Sequence, residues 1–396
     1  PQMVGLRTQF VHLYVKDNTE ESGGKFEDYG IYTQVEQLNK TALKSHGLDS
    51  NGQLYKINSF EFYRYEDIIK KEDDAGYDKT AFEKMLEIKG DSDHTKLIDM
   101  LTDLNDYSIG IEDVLKEHFD EENIVYWMAF QILMGNVDTQ NRNVYLYSPL
   151  NSDIWYFIAW DNDGCLMRSE YELKNFSDQG SWEKGISNYW GNVLFQRCLK
   201  SRSFREKLND AILDLREYLN KDMLTSKIES YKNVLKPYLY LMPDAEYEPL
   251  TSEQYDQIAA SLPDEIEKNY QLYLESLETP MPFYIGVPTI DGDKLKFNWD
   301  VSYDLDAEDI TYSVEVARDY LFRDVIYQNT TLIVPEAEMD LPEAGQYFVR
   351  VRATNTSGKT QDAFDYYVTD EGKHYGMRCF YITEDSTVEE DDYEEG

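Results

Sequence analysis

The sequence feature that most restricts the fold is the stretch from Gly135 to Asp163, which reads GNVDTQNRNVYLYSPLNSDIWYFIAWDND. Within it, Asn143–Tyr147 and Ile154–Trp160 have the composition of strands and flank the turn-rich segment SPLNSD, which predicts a β-hairpin. The preceding run DEENIVYWMAFQILM has a broad apolar stripe at helical spacing, and Asp120 at its start is a suitable N-cap. The pattern therefore predicts a largely buried helix, a polar loop, a hairpin and a second acidic turn, in this order.

The acidic and amide residues of this stretch have an order and spacing that suit metal-assisted phosphoryl transfer. Asp138 is followed by Asn143 in the pattern D-x₄-N, and Asp161 comes after the hairpin in the pattern D-x-D with Asp163. One carboxylate can orient an attacking hydroxyl and accept its proton, while carboxylate and amide oxygens can bind Mg²⁺. Each pattern alone is common by chance in an acidic chain, but their combination with the helix and the hairpin is much less so. For Asp163, a role in the turn alone is an equal alternative.

The charge of the chain restricts the kinds of molecule that it is expected to bind. With 77 acidic and 38 basic side chains, the formal net charge is −39. Such a surface repels the phosphates of nucleic acids and anionic lipids, so we expect no nucleic-acid partner. We also expect no membrane insertion, because no apolar run approaches the ~18 residues that span a bilayer. The 3 cysteines are too few for a disulfide framework, and the 5 histidines are too dispersed for a zinc site.

The first two thirds of the chain have a β-rich start and a helix-rich continuation. Two strand patterns, within 8–17 and 29–36, predict a hairpin with Gly23 and Gly24 near the turn. Helical patterns then predominate and include a block over 191–277 that prolines are expected to interrupt. This order of elements predicts a two-lobed α+β domain.

Beyond the sequence TPMP, short strand-like runs separated by turns predict an all-β, immunoglobulin-like sandwich. We therefore expect residues 1–279 to form the α+β domain, 280–370 the sandwich, and 371–396 a terminal strand followed by an acidic, disordered tail. Within the sandwich, Trp299 and the segment LPEAGQYFVRVRA (341–353) resemble the core Trp and the tyrosine-corner strand of a fibronectin type III module.

Several motifs of the α+β domain resemble those of the CotH (spore coat protein H) family of atypical protein kinases. Members of this family carry N-x-D…N-x-Y-L-Y followed by W-Y-F-I-x-W-D-x-D-G, and further upstream F-V-x-L-Y-V…Y-G-x-Y-T-x-V-E-Q and N-L-Y-K. The matching segments here are FVHLYV (10–15), YGIYTQVEQ (29–37), QLYK (53–56), NVDTQNRNVYLY (136–147) and WYFIAWDNDG (155–164). Around the two acidic turns the match is almost letter for letter, and it extends over roughly residues 1 to 280.

The resemblance implies a two-lobed, kinase-like fold that uses ATP with Mg²⁺ or Mn²⁺ and transfers phosphate to Ser or Thr hydroxyls of an acceptor protein. Carried over position by position, Asp138 corresponds to the catalytic Asp and Asn143 to a metal ligand. Asp161 corresponds to the principal metal-binding Asp, and Asp163 is a further candidate ligand.

For the nucleotide, the resemblance suggests that Glu36 and Gln37 lie beside the adenine, because they end a strand that leads towards the lobe junction. Lys16, Lys25 and Lys56 are the nearby cations, none of them in a glycine-rich context that would identify it, and we assign Lys56 to the nucleotide site. In the family, the phosphate-covering loop and the phosphate-binding Lys lie upstream of F-V-x-L-Y-V. We therefore expect them to precede Pro1 and the N-lobe to be incomplete in this chain.

Family association with bacterial envelopes and spore coats implies an extracytoplasmic location, either secreted, at the cell surface or in the spore coat of a bacterium. The sandwich suggests a surface or cellulosome partner in addition to the acceptor protein. The alternative interpretation is a non-catalytic cell-surface or cellulosome-associated binding or scaffold protein with a kinase-like fold.

Overall fold

The computed structural model describes residues 3–17, 19, 24–174 and 179–390. The chain divides into two compact units. The first comprises residues 1–174 and 192–269, and the second comprises residues 175–191 and 270–396. The fold is mixed, with a helix-rich first unit and a second unit that is rich in β-strands, as the sequence predicts.

The strands of the first unit form a two-stranded hairpin and a separate four-stranded antiparallel sheet of order β4-β3-β5-β6. They are β1 (Thr8–Lys16), β2 (Phe26–Val35), β3 (Gln53–Ile57), β4 (Leu86–Ile88), β5 (Val144–Ser148) and β6 (Tyr156–Ala159). The predicted β1-β2 hairpin is confirmed, with Thr8 opposite Val35 and Lys16 opposite Phe26. Of the two glycines predicted near its turn, Gly24 is described and Gly23 lies outside the described residues.

The helices of the described residues alternate with these strands and continue after β6. They are α1 (Lys40–Ser45), α2 (Lys79–Met85), α3 (Thr95–Asn105), α4 (Ile111–His118), α5 (Glu121–Met134), α6 (Arg168–Lys174), α7 (Val193–Lys200), α8 (Arg202–Tyr218), α9 (Lys221–Leu239) and α10 (Ser252–Glu278). Two of the prolines expected to interrupt the helical block, Pro237 and Pro263, instead lie inside α9 and α10. The prediction was wrong there, because a proline removes one helical hydrogen bond and need not end a helix that packing supports.

The predicted buried helix is α5, which lies at the centre of the first unit. Asp120 caps its start by accepting a hydrogen bond from the backbone N–H of Asn123, and Gly135 ends it in the left-handed conformation with φ 65°. Trp127 and Met128 are fully buried. The hairpin that follows is also confirmed, although β6 is shorter than predicted.

The second unit contains two sheets that share one hydrophobic core. One sheet has the order β11-β8-β7, and the other has the order β10-β9-β12-β16-β17, with β13 added to β12 and a separate β14-β15 hairpin. The strands are β7 (Thr289–Asp291), β8 (Lys294–Asn298), β9 (Ile310–Ala317), β10 (Val325–Leu332), β11 (Glu336–Asp340), β12 (Gly345–Asn355), β13 (Thr360–Asp362), β14 (Tyr366–Thr369), β15 (Gly372–Tyr375), β16 (Met377–Ile382) and β17 (Val388–Glu390).

Two residues singled out in the sequence lie in this core. Trp299 and Tyr347 are 5% and 2% exposed, and both belong to the cluster that joins the two sheets. The Tyr347 hydroxyl donates a hydrogen bond to the carbonyl oxygen of Glu343 at 2.8 Å, which is the backbone contact expected of a tyrosine corner. The likeness to a fibronectin type III module itself stays a prediction.

The end of the chain differs in part from the predicted tail. Residues 388–390 form β17, which pairs with β16 through Ile382 and Val388, because the partly buried Val388 packs on the core. Residues 391–396 of the predicted tail lie outside the described residues. Within the described chain, every helix is too short or too polar to cross a lipid bilayer.

Candidate active site

The first acidic turn begins where α5 ends. The backbone N–H of Asn136 donates to the carbonyl oxygen of Gln131 at 3.0 Å, so the chain turns away from the helix axis immediately after Gly135. A 3₁₀ turn, Val137–Thr139, follows and carries Asp138. The buried Thr139 hydroxyl donates to the Asn136 carbonyl oxygen at 3.0 Å, and this hydrogen bond holds the two ends of the turn together.

Both carboxylate oxygens of Asp138 are held by donors from the same loop. The Asn143 side-chain N–H donates to Oδ2 at 2.7 Å, and Nε of Arg142 lies 3.2 Å from Oδ1. Asn143 has φ 58°, a left-handed conformation that Asn adopts more readily than most residues. This conformation turns its side chain back onto Asp138. The half-exposed Asp138 carboxylate therefore keeps a fixed orientation while remaining accessible.

The second acidic turn begins directly after β6 with Asp161, which also has a positive φ of 55°. Partial burial of its carboxyl, and next the negative charge of Asp163 together with a hydrogen bond shared with it, raise the pKa of Asp161 above its ordinary value. The charge of Lys56 lowers this pKa, and the charge of Asp138 raises it. The two acidic turns are thus close enough to interact electrostatically.

Lys56 reaches this site from the neighbouring strand. In the sheet register it lies opposite Tyr145 of β5, which is two residues beyond Asn143. Cross-strand partners project from the same face of a sheet, so Lys56 lies on the face that carries Tyr145. Its ammonium group offsets part of the repulsion among the carboxylates.

A buried amide network joins the two turns. The Asn136 side-chain N–H donates to the Gln131 side-chain oxygen at 3.1 Å, and Gln131 in turn donates to the side chain of Asn162 at 3.2 Å. Gly164 packs against this network so closely that a Cβ there would lie 2.8 Å from Oδ1 of Asn136. Asn136 therefore braces the loop through its side chain.

A comparison with protein families decides the relationship of the chain. A family model described as "CotH kinase protein" matches residues 2–273, which is more than half of the chain. The chain belongs to the CotH kinase family. The matched segment contains both acidic turns, and it identifies the chain as a kinase-like protein.

Other comparisons add little to this family assignment. No curated protein matches the chain. Among solved structures, a match titled "Structure of surface layer protein SbsC, domains 1-6" has 12% sequence identity and a TM-score of 0.14, and it covers 83% of this chain. The chain spans 41% of that protein's chain. The TM-score is too low for any inference about fold or role.

The residues of this CotH kinase-like site fit a divalent cation of the Mg²⁺ or Mn²⁺ type. The candidate donors are the carboxylates of Asp161 and Asp163 and the side-chain oxygen of Asn143, and hard cations prefer such oxygen ligands. The raised pKa of Asp161 points the same way, because it reflects burial and carboxylate repulsion that a bound cation would relieve. The Asn143 amide directs its N–H towards Asp138, so its oxygen is the atom available as a ligand.

The residues assigned to adenine have different surroundings. Among the described residues, Glu36 interacts with Arg7, Ser45 and His46, and hydrogen bonding from His46 and then from the Arg7 backbone lowers its pKa. Gln37 and Glu36 line a shallow groove of about 500 Å³. The structure therefore brings Asp138, Asn143, Asp161, Asp163 and Lys56 together, whereas Glu36 and Gln37 line a separate groove.

Arg142, the cation that contacts Asp138, was not among the residues predicted from the sequence. Its position inside the D-x₄-N loop was the available signal, since a cation four residues after Asp138 can reach the carboxylate. One group of potential metal ligands that includes a histidine was also not predicted from the sequence. Within the described residues, His118 lies close enough to Asp103 and Glu117 for the three to share a metal ion. The 2.8 Å contact between His118 and Asp103 is explained as a tie between α3 and α4.

Proposed function

We propose that the chain is an ATP- and metal-dependent protein Ser/Thr kinase of CotH type. The observation that carries the proposal is the 2.7 Å hydrogen bond between Asn143 and Asp138, formed beside a second turn that carries Asp161 and Asp163. A base, an amide ligand and a pair of carboxylate ligands are the side chains that metal-assisted phosphoryl transfer requires.

In this proposal Asp138 orients the acceptor hydroxyl and accepts its proton. The new bond joins the hydroxyl oxygen to the γ-phosphorus of ATP, the bond from that phosphorus to the β,γ-bridging oxygen breaks, and ADP leaves with the electron pair. A metal ion bound by Asn143, Asp161 and Asp163 would neutralise charge on the phosphates. Asn143 holds Asp138 at a fixed angle, so the base needs no reorganisation when the hydroxyl arrives.

Two cations of the chain complement the negative charge of ATP. Lys56 approaches from β3 on the side of Asp161, and Arg142 approaches from the loop on the side of Asp138. A guanidinium is planar and can bind two phosphate oxygens at once, whereas an ammonium acts as a point charge. We assign Arg142 to the transferred phosphate and Lys56 to the phosphates nearer the metal.

The acceptor and the location are proposed from family membership. We propose an extracytoplasmic acceptor, such as a spore-coat or envelope protein, with Ser or Thr hydroxyls. The sandwich expected from the sequence at 280–370, which lies within the β-rich second unit, is proposed as a spacer or docking module for a surface or cellulosome partner.

The test is transfer of labelled γ-phosphate from ATP by the full-length natural protein in the presence of Mg²⁺ or Mn²⁺, with casein as a generic acceptor and the protein itself as a second acceptor. Asp138→Ala and Asp161→Ala should each lower the rate of transfer by about 100-fold or more. The matched control is Asp210→Ala, which removes an exposed carboxylate on α8. Equal activity of the wild type and the two site variants would exclude the kinase assignment.

The non-catalytic alternative predicts a different result by calorimetry. A kinase should bind Mn²⁺ and a non-hydrolysable ATP analogue, and Asp161→Ala should remove the metal component. If the wild-type chain bound neither, the binding or scaffold role would be the better explanation.

A further inference from the structure

The part of α10 that belongs to the first unit contributes two buried polar side chains, which contact segments next to the two acidic turns. Glu265 and Asn269 of α10 are 0% and 2% exposed. They are four residues apart, so they project from the same face of the helix. Buried polar groups of this kind are costly unless they are fully paired, so their partners indicate what they do.

The partners of Asn269 lie in the segments that flank the two acidic turns. Its side-chain N–H donates to the carbonyl oxygen of Leu133 at 3.0 Å, in the last turn of α5. Its side-chain oxygen accepts a hydrogen bond from Nε of Arg168 at 2.6 Å, at the start of α6. The end of a helix leaves carbonyl groups without helical partners, and Asn269 satisfies one of them from outside.

Glu265 holds the second of these segments at its backbone. Its carboxylate accepts hydrogen bonds from the backbone N–H of Ser169 at 2.8 Å and from that of Arg168 at 3.2 Å. These are N–H groups at the start of a helix, where negative charge is favourable. The segment is also tied directly to α5, because the backbone N–H of Leu166 donates to the Met134 carbonyl oxygen at 2.8 Å.

The contact between α10 and α5 is close at Gly135. Gly135, which ends α5, has φ 65°, and a Cβ there would lie 2.6 Å from Nδ2 of Asn269. Asp138 follows Gly135 by a single short turn, and Asp163 precedes Arg168 by a similar interval. A displacement of Asn269 must therefore move both segments that carry the carboxylates.

We propose that Glu265 and Asn269 are positioning residues that fix the distance between the catalytic loop and the metal-binding turn. The proposal rests on the proposed kinase function, since it assigns the metal to Asp161. It differs from that function in requiring a contribution from α10, a helix that carries none of the reacting groups. Outer residues that hold metal ligands in place typically change metal affinity or activity by about 10- to 100-fold.

The experiment compares Asn269→Ala with Asn355→Ala in the full chain. Asn355 is a matched control because it is also a buried amide with several hydrogen bonds, to Glu278, Asp304 and Lys359 of the second unit. Both variants should lose similar thermal stability. Only Asn269→Ala should weaken Mn²⁺ binding by about tenfold in calorimetry and lower kcat by about 10- to 100-fold, with the KM for ATP within about threefold of wild type.

A second variant keeps the test decisive if Asn269→Ala fails to fold. Glu265→Gln preserves the size of the side chain and one carbonyl acceptor, so it should fold and show a smaller loss of Mn²⁺ affinity, about threefold to tenfold. The positioning role would be wrong if Asn269→Ala had the same Mn²⁺ affinity and kcat as Asn355→Ala. If Asn269→Ala does not fold, the same comparison is made with Glu265→Gln. A wild-type chain that binds Mn²⁺ without transferring phosphate would refute only the kinase function, whereas one that binds no Mn²⁺ would refute both.

Discussion

Asn143 donates its side-chain N–H to Asp138 at 2.7 Å, so the proposed metal ligand and the proposed base are held as one unit. The contact depends on the left-handed backbone of Asn143, with φ 58°, which reverses the chain just before β5. One short loop therefore sets both where a metal would bind and how the base is oriented.

Non-additive mutational effects should reveal this unit. Asp138→Ala and Asn143→Ala should each lower kcat by about 100-fold or more, and the double variant should be no slower than the slower single variant. Single-turnover transfer of labelled phosphate measures the three rates. If the two losses multiplied, the residues would act independently and the pair would not be a unit.

Arg142 should be required for the rate more than for binding. Its Nε lies 3.2 Å from Asp138, and in the proposed mechanism its guanidinium binds the transferred phosphoryl group. Arg142→Ala should lower kcat by about 10- to 100-fold, and Arg142→Lys should recover only part of this loss, because an ammonium cannot bind two oxygens in a plane. Steady-state kinetics separate kcat from KM. Full recovery with Lys would indicate that charge alone is needed.

Lys56 should act mainly on nucleotide affinity. Its positive charge lies near Asp161, so Lys56→Met would remove an attraction for the ATP phosphates and should raise the KM for ATP about tenfold, without weakening Mn²⁺ binding in the absence of nucleotide. Lys207→Met is the control, since Lys207 pairs with Glu121 on the surface of the helical part. Calorimetry with a non-hydrolysable analogue measures both affinities, and an unchanged analogue affinity would remove Lys56 from the site.

Much of this arrangement could be predicted from the sequence, because it follows from local rules. Capping predicted where α5 starts, the turn residues predicted the hairpin, and the spacing of Asp138 and Asn143 predicted their association. The role of α10 could not be predicted, since Glu265 and Asn269 lie far along the chain from both turns and carry no motif. The failure at Pro263 has the same origin, because long-range packing decides whether a helix continues through a proline.

Acid should destabilise the first unit through His94. Burial lowers the pKa of this fully buried histidine below its ordinary value of 6.5. As the pH falls below 6.5, the unfolded chain binds a proton at His94 before the folded chain does. The contribution of the neutral His94 to the free energy of unfolding is therefore fully present above pH 6.5 and is lost as the pH falls towards and through the lower pKa of the folded state.

The variant His94→Gln should decrease the slope of this decline in urea unfolding measured at pH 7, 6 and 5. The control is Tyr55→Phe, which removes the 2.7 Å hydrogen bond between Tyr55 and His94 but keeps the titrating ring. This control should be less stable at every pH and retain the full slope. An unchanged slope in His94→Gln would assign the acid sensitivity to other groups.

Gly164→Ala should disturb the acidic turn without affecting the backbone conformation of the rest of the hairpin. The added Cβ would lie 2.8 Å from the Asn136 side-chain oxygen, and Asn136 is only 2% exposed, so its amide must move and lose its bond to Gln131. Overpacking of this kind costs about 1–3 kcal/mol.

Gly5→Ala is the matched control, because nothing lies within 4 Å of a Cβ there. Thermal unfolding should show the loss only for Gly164→Ala, and Mn²⁺ affinity should fall about tenfold with it. Combining Gly164→Ala with Asn136→Ala should add little further loss of affinity, since both changes break the same link between the two turns.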